Sequence, residues 1–255
     1  MDSDHILARI VRRKQEELKA GGIPVRELEQ LAHTHTRRSF RTALMARKPA
    51  VIAEIKKASP SRGLLAQDFQ PARTAREYEL GGAAALSVLT DRDFFQGSLS
   101  DLVAARNAVQ LPVLRKDFTI AEYHVVEAAA HGADAILLIA AILDPHELRG
   151  FRERAASLQM DTLVEVHNEQ ELEAALASGA DILGVNNRDL RTFEVCLETS
   201  HRLAPLIPQG VLRVTESGIF TREDIHRLHE FQAFLIGESL MRSGDPTSAL
   251  LALCS

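Results

Sequence analysis

Short apolar runs alternate with longer amphipathic stretches from residue 51 to the end of the chain. The starts of the runs are 21 to 33 residues apart, which is room for a strand, a loop and a helix. Eight runs follow this pattern, at residues 51–57, 84–90, 112–118, 135–141, 161–167, 182–187, 212–218 and 233–239. Nearly continuous apolar runs are typical of strands buried on both faces of a parallel sheet, and AILLIAA at 135–141 is the clearest case.

Helix-start signals lie between these runs. Asp144 is followed directly by a proline, and Glu147 lies three positions after Asp144, as in a capped helix N-terminus. Thr119, Asn168 and Thr221 also precede an acidic residue by three positions. Because each signal falls between two predicted strands, the signals support one another.

Eight strands, each followed by a helix, predict an α/β fold of the (β/α)8 TIM barrel type. The alternative is a doubly wound open sheet, which a G-x-G-x-x-G turn after the first strand would favour; residues 58–63 read ASPSRG instead. Residues 1–50 hold three stretches of helical pattern, and we expect an N-terminal helical extension that covers one barrel end. We predict one domain over residues 1–255, with the barrel at 51–255.

Composition and charge exclude several classes of protein. The 255 residues are 45% hydrophobic and 25% charged, which is ordinary for a globular protein. A net charge of −5 argues against a nucleic-acid partner. The two cysteines, Cys196 and Cys254, match neither a disulfide framework nor a zinc site.

The charged start of the chain does not resemble a signal peptide, and no apolar run is long enough to span a membrane. We expect a cytoplasmic protein without a membrane partner.

Charged residues inside the predicted strands are the informative anomaly. Side chains alternate along a strand, so Ile52, Glu54 and Lys56 share one face while Ala53 and Ile55 share the other. If the latter two pack against helices, the charged pair points into the barrel. The same alternation directs further polar side chains inward on four other strands, namely Lys116, Glu165, Asn186 and Glu216. They lie toward the C-terminal strand ends, where barrel active sites form.

Two interpretations of these charges remain open. Buried charges are costly unless paired, so two lysines and three carboxylates could be ordinary ion pairs. The same groups could instead tune one another's pKa values for proton transfer.

A second group of residues predicts a phosphate site. Barrels often bind phosphate with the loops after strands seven and eight, which here contain Ser217, Gly218, Gly237 and Glu238. Glycines let backbone N–H groups approach an anion. The carboxylate of Glu238 would repel phosphate, so we expect its side chain to turn away and only its N–H to take part.

Histidines and serines add weaker candidates. None of the ten histidines shows a ligand-pair spacing, so we expect no metal site. His167, at the end of the fifth run, is the only histidine near the predicted mouth. Ser59 and Ser61 flank a proline in the loop after the first strand, where ordinary loop chemistry also explains them.

These residues fall in segments that resemble the indole-3-glycerol phosphate synthase family. The match covers essentially the whole chain and touches seven of the eight strands in family order. The segments are IAEIKKASPSRG (52–63), SVLTD (87–91), FFQGS (94–98), VLRKDF (113–118), LVEVHNEQEL (163–172), GVNNRDL (184–190), ESGI (216–219) and FLIGESLM (234–241). The first and the VLRKDF segment are specific, whereas ESGI and IGESL also occur in other phosphate-binding barrels.

The resemblance implies an enzyme of tryptophan biosynthesis. Its reaction converts 1-(2-carboxyphenylamino)-1-deoxyribulose 5-phosphate into indole-3-glycerol phosphate, carbon dioxide and water, with no metal or organic cofactor. The partner is thus a small phosphorylated substrate, and we expect a monomer or weak homo-oligomer. By resemblance, Lys116 is the general acid in ring closure, and Lys56 and Glu165 are the acid and base of dehydration. The site lining implied in the same way is Glu54, Asn186 and Glu216.

The resemblance also implies substrate-binding positions. The phosphate would be bound at Ser217, Gly218, Gly237 and the Glu238 amide, with Ser59 and Arg188 at the rim. The apolar wall for the anthranilate ring would be Phe95, Phe118 and Leu138.

Three other functions are alternatives for a barrel of this kind. Phosphoribosylanthranilate isomerase would have a cysteine at the end of the first strand, where this chain has Glu54 and Lys56. A Schiff-base aldolase could use a barrel lysine. A barrel that only binds a phosphorylated metabolite would have no need of Glu165 opposite Lys116.

Overall fold

The computed structural model describes residues 5–190 and 192–254. Within these ranges, parallel strands close into a barrel in which each strand pairs with its sequence neighbours and the last pairs with the first. The eight strands are β1 (Ala50–Ile55), β2 (Ala85–Leu89), β3 (Val113–Lys116), β4 (Ala135–Ile139), β5 (Asp161–Val166), β6 (Ile182–Asn186), β7 (Leu212–Glu216) and β8 (Ala233–Ile236). The TIM-barrel prediction is confirmed, and the open sheet is excluded.

Helices connect the strands and surround the barrel. In the described ranges they are α1 (Ile6–Ala20), α2 (Val25–Ala32), α3 (Phe40–Met45), α4 (Pro71–Leu80), α5 (Arg92–Phe95), α6 (Leu99–Ala108), α7 (Glu122–Ala130), α8 (Pro145–Ser157), α9 (Glu169–Ala177), α10 (Glu198–Leu203), α11 (Arg222–Arg227), α12 (Glu238–Met241) and α13 (Pro246–Cys254). A short antiparallel pair, Ala58–Ser59 with Gly63–Leu64, follows β1. None of the described helices combines the length and apolar character needed to cross a membrane.

Three of the four helix-start predictions are confirmed. Asp144 and Thr221 form complete capping boxes, and Asn168 caps α9 through the backbone N–H of Glu171. The prediction at Thr119 is wrong. Helix α7 begins at Glu122 behind Ala121, whose methyl side chain cannot cap, and Thr119 is buried instead.

Strand side chains pack in two layers, as the alternation predicts. Ile52, Leu114 and Leu163 point into the barrel and are fully buried there. Ala53 and Ile55 belong to the larger apolar cluster that includes residues of the surrounding helices. Because β1 keeps this alternation, Glu54 follows Ile52 onto the inward face.

The N-terminal extension contacts both ends of the barrel. In α3, Phe40 and Leu44 are fully buried in the inner cluster beside Ala50, at the N-terminal end of the strands. In α1, Lys14 forms ion pairs with Asp91 and Asp117, which follow β2 and β3 at the opposite end. The expectation that the extension covers a single end is therefore wrong, because α1 and α3 lie at opposite ends of the strands.

Candidate active site

A cavity opens at the C-terminal ends of the strands, which we call the mouth of the barrel. Of the fifteen predicted site residues, all but Leu138 line it. The residues brought together there are Glu54, Lys56, Ser59, Phe95, Lys116, Phe118, Glu165, Asn186, Arg188, Glu216, Ser217, Gly218, Gly237 and Glu238.

Leu138, which the family resemblance implied, is the one predicted site residue that does not line the cavity. It points outward from β4 into the cluster between the strands and the helices. Its neighbours Leu137 and Ile139 have the opposite orientation, pack in the inner cluster and line the cavity. Side chains alternate along a strand, so a one-residue error moves the predicted position to the other face.

Lys116 lies at the centre of the charged cluster inside the mouth. Its Nζ donates a hydrogen bond of 2.9 Å to Glu165 Oε2 and lies 3.3 Å from Glu216 Oε2. The two glutamate side chains are almost completely buried. One ammonium group thus holds two carboxylates that come from β5 and from β7.

Burial and charge act in opposite directions on these groups. Burial favours the uncharged form of Lys116, but the attraction of Glu165, Glu216 and Glu54 outweighs it and raises the lysine pKa. Burial also opposes ionisation of Glu165, yet Lys116 and then His167 lower its pKa to about 2. For Glu216, burial prevails over the attraction of Lys116, and repulsion from Glu165 adds to it, so its pKa rises to about 8.

A second ion pair and two glycines complete the cluster. Lys56 Nζ donates a hydrogen bond to Glu54 Oε1. A Cβ atom at Gly237 would lie 2.4 Å from that same oxygen, and one at Gly184 would lie 2.4 Å from Glu216 Oε1. Any larger residue at these two positions would therefore clash with a glutamate. Gly237, after β8, leaves room for the Glu54 carboxylate, and Gly184, on β6, leaves room for that of Glu216.

His167 is close to this cluster on the side of β5. Its Nε2 lies 3.5 Å from Glu165 Oε1, and its Nδ1 lies 2.9 Å from Glu171 Oε2. The side chain is 13% exposed. Burial would lower the histidine pKa, but the hydrogen bond with Glu171 and the charge of Glu165 outweigh burial and raise it.

The loops after β7 and β8 form the part of the mouth where a phosphate site was predicted. Ser217 and Gly218 both have positive φ, 67° and 80°, and Gly237 precedes the short helix α12. The Glu238 carboxylate pairs with Arg62, whose Nε is 3.1 Å away. Sequence reasoning missed Ser239, whose buried hydroxyl has no hydrogen-bond partner among the described residues.

The opposite side of the mouth is apolar. The rings of Phe95 and Phe118 are 6.1 Å apart at 37°, and Leu137, Ile139 and Leu190 continue the wall. This arrangement offers a flat apolar surface beside the charged cluster.

A second charged network, which sequence reasoning did not find, lies on the outward side of β3. Lys14 Nζ is 3.0 Å from Asp91 Oδ2 and 2.9 Å from Asp117 Oδ1. Arg115 Nη2 lies 3.2 Å from Asp117 Oδ2, and Thr90 donates a hydrogen bond to the same oxygen. The available signal was that Arg115 and Asp117 alternate with Lys116, on the face expected to meet helices. Among the described residues, no group of three or more histidine, cysteine or acidic side chains is arranged to hold a metal.

Comparison with known families and proteins gives one consistent match. Residues 7–253 match the family model described as indole-3-glycerol phosphate synthase. A protein of that name from Desulfotalea psychrophila is 51% identical over 97% of this chain and 98% of its own length. One from Bordetella pertussis is 49% identical over 97% of this chain and 98% of its own length.

Solved structures with low sequence identity share the fold. The tryptophan synthase α-subunit of Pyrococcus furiosus aligns with a TM-score of 0.61 at 13% identity, covering 81% of this chain and 98% of that one. Thiamine phosphate pyrophosphorylase of the same organism aligns with a TM-score of 0.60 at 16% identity, covering 82% and 95%. At these identities the likeness supports the barrel alone.

Proposed function

This chain belongs to the indole-3-glycerol phosphate synthase family, and from that premise we propose how its residues carry out the reaction. The enzyme is a carboxy-lyase of tryptophan biosynthesis. It closes the pyrrole ring of 1-(2-carboxyphenylamino)-1-deoxyribulose 5-phosphate and releases carbon dioxide and water. The observation that carries the residue assignment is the position of Lys116 between Glu165 and Glu216 inside the cavity.

Lys116 supplies the proton for ring closure. As the aromatic carbon attacks the substrate carbonyl, negative charge develops on the carbonyl oxygen and a proton must reach it. The two carboxylates keep Lys116 protonated, so an acid stands ready at the centre of the mouth. Loss of carbon dioxide from the attacked ring carbon then leaves its electron pair in the ring and restores aromaticity.

Lys56 and Glu165 act in the dehydration that follows. The hydroxyl group formed by ring closure leaves as water with a proton from Lys56, while Glu165 accepts a proton from the new ring. The two residues come from β1 and β5, which are on opposite sides of the eight-stranded barrel. A substrate can therefore lie between them. The lowered pKa of Glu165 supports its assignment as the base, because a base must be ionised.

Substrate binding divides the mouth into a polar and an apolar half. We assign the phosphate to the backbone of Ser217, Gly218, Gly237 and Glu238, where the Glu238 carboxylate is turned to Arg62. The anthranilate ring lies against Phe95 and Phe118, with Leu137 and Ile139 in place of Leu138. Arg188 and Ser59 stand at the rim, and Glu54, Asn186 and Glu216 hold the lysines and the substrate hydroxyls.

Further properties belong to the same proposal. We propose a single domain that works in the cytoplasm as a monomer or weak homo-oligomer, without nucleic acid. The two cysteines are free thiols, as is usual in a reducing compartment. We also propose that no metal or cofactor is needed. Dialysis against a chelator should leave the activity unchanged, and a complete loss that added metal restores would contradict this.

Turnover of the carboxyphenylamino substrate tests the function. We expect the indole product to appear by its fluorescence together with carbon dioxide in equal amounts. Phosphoribosylanthranilate, the isomerase substrate, should not be converted. Absence of indole from the carboxyphenylamino substrate would overturn the assignment.

A further inference from the structure

In the proposed reaction, Glu165 must stay ionised until dehydration. The cation that pairs with it, Lys116, is also the acid that gives up its proton in ring closure. Lys116 Nζ donates to one oxygen of Glu165 and gives its proton to the substrate during ring closure. A neutral Lys116 no longer attracts the carboxylate. Glu165 would then be free to take up a proton from its surroundings and would be unavailable as the base of dehydration.

The other oxygen of Glu165 faces His167. The distance from His167 Nε2 to Glu165 Oε1 is 3.5 Å, which is an ion-pair distance, and this nitrogen is buried without a hydrogen-bond partner among the described residues. Among the described residues, the charged groups that act most strongly on the imidazole are acidic. Glu165 lies beside it on β5, Glu171 contacts it from α9, and Glu216 acts on it from β7.

Glu171 fixes the orientation of the imidazole. Its Oε2 accepts hydrogen bonds from the backbone N–H of His167 at 2.8 Å and from Nδ1 at 2.9 Å. Its Oε1 accepts a hydrogen bond from the side-chain amide of Asn168. With Nδ1 held as a donor, Nε2 can only point toward Glu165.

We propose that His167, held by Glu171 and carrying a proton on each ring nitrogen, is a positioning residue that keeps Glu165 ionised after Lys116 has given up its proton. The inference rests on the proposed function, since it concerns the interval between ring closure and dehydration. The raised pKa of His167 supports it, because its cause is the pair of carboxylates on either side of the ring.

The pH dependence of dehydration tests the proposal. We compare the parent enzyme with His167→Gln in single turnovers, following carbon dioxide and indole separately. An opposite charge within ~4–6 Å typically shifts a pKa by ~1–3 units, so the acid limb of the dehydration rate should move up by about one pH unit. The carbon dioxide rate should stay close to that of the parent, because Lys116 and not Glu165 supplies the proton for ring closure.

Two further variants keep the result interpretable. His229→Gln changes an exposed histidine and should leave both profiles unchanged. His167→Asn serves as the second replacement in case the glutamine disturbs the end of β5. A purely structural role of His167 would slow both steps equally at every pH. An acid limb that stays at the parent position would overturn the proposal.

A titration that needs no turnover separates this inference from the proposed function. The proton signal of the His167 ring is followed by NMR in the parent and in Glu165→Gln. We expect a pKa above the ordinary histidine value in the parent and a fall in the variant. An unchanged titration would overturn the inference even in an active enzyme, whereas an inactive parent would contradict the proposed function.

Discussion

Two buried charge clusters lie back to back on the C-terminal end of β3. Arg115, Lys116 and Asp117 are consecutive, and because side chains alternate, Lys116 points into the mouth while its two neighbours point outward. The outward cluster joins β3 to the N-terminal helix through Lys14. Both clusters consist of buried cations and carboxylates, so their difference lies in what these groups face.

The outward cluster joins protein groups to one another. Lys14 and Arg115 face Asp91 and Asp117, and the same two cations also contact Glu17 and Glu127 at its edge. Burial opposes ionisation of Asp117, but Arg115 and then Lys14 outweigh it and lower the aspartate pKa. Such a network holds α1 against the ends of β2 and β3.

The inward cluster lines the cavity. Two lysines, Lys56 and Lys116, face Glu54, Glu165 and Glu216. Glu216 Oε1 is buried without a hydrogen-bond partner among the described residues, and the pKa of Glu216 is raised to about 8. The comparison indicates that the outward pairs hold α1 to the barrel, whereas the inward groups line the cavity in which we propose that the substrate binds.

The largest expected effect comes from removing the central cation of the inward cluster. Lys116→Ala should lower the rate of ring closure by ~10²–10⁴-fold, the typical contribution of a general acid. The fold should persist, as checked by circular dichroism. Lys19→Ala, at an exposed position of α1, is the control and should keep the parent rate. Activity of Lys116→Ala within about tenfold of the parent would count against the assignment.

Removing the cation of the outward cluster should affect stability. Lys14→Met leaves Asp91 and Asp117 buried without their shared partner and should lower the free energy of unfolding by ~3–5 kcal/mol. Urea denaturation measures this, and Lys14→Arg should recover part of the loss. A Lys14→Met enzyme as stable as the parent would show that the network does not hold the fold.

The pH range of this contribution follows from the pKa shifts. Asp117 has a lowered pKa, so its contribution is present above the unfolded value near ~3.9 and is lost on acidification. Lys14 has a raised pKa, so its contribution is present below ~10.4 and is lost as the pH rises beyond it. The difference between parent and Lys14→Met should therefore be flat through neutral pH.

A smaller effect on stability is expected from replacing Glu216. In contrast to Lys14→Met, this replacement should make the protein more stable than the parent as the pH rises. Its folded-state pKa is raised from 4.5 to about 8, so the stability it contributes is full below 4.5 and is lost as the pH rises toward 8. Glu216→Gln should remove this slope. Relative to the parent, the variant should gain at least ~1.4 kcal/mol between pH 5 and pH 8, which corresponds to one pKa unit. Parallel stability curves would contradict the raised pKa.

The inward cluster could be predicted from the sequence because it depends on alternation within short strands. Glu54, Lys116, Glu165 and Glu216 each follow an inward apolar residue by two positions, and all of them reach the mouth. Leu138 was assigned from the family resemblance and not from alternation, and it lies on the outward face of β4. The uniformly apolar strand β4 has no charged residue that marks its inward face.

The outward cluster could not be predicted in the same way. Lys14 contacts Asp91 and Asp117 only after the barrel has closed and α1 has packed against it, and nothing local in α1 indicates those partners. His167 is an intermediate case. Its contact with Glu171 has helical i, i+4 spacing, but its approach to Glu165 depends on the direction of the chain after β5.

The most direct test of the inward cluster separates the two chemical steps in Glu165→Gln. The variant keeps the shape of the side chain and removes the base. In a single turnover with the carboxyphenylamino substrate, carbon dioxide release should outrun indole formation, because only dehydration loses its base. Identical time courses for carbon dioxide and indole, both well below the parent rate, would show instead that Glu165 serves only to neutralise Lys116.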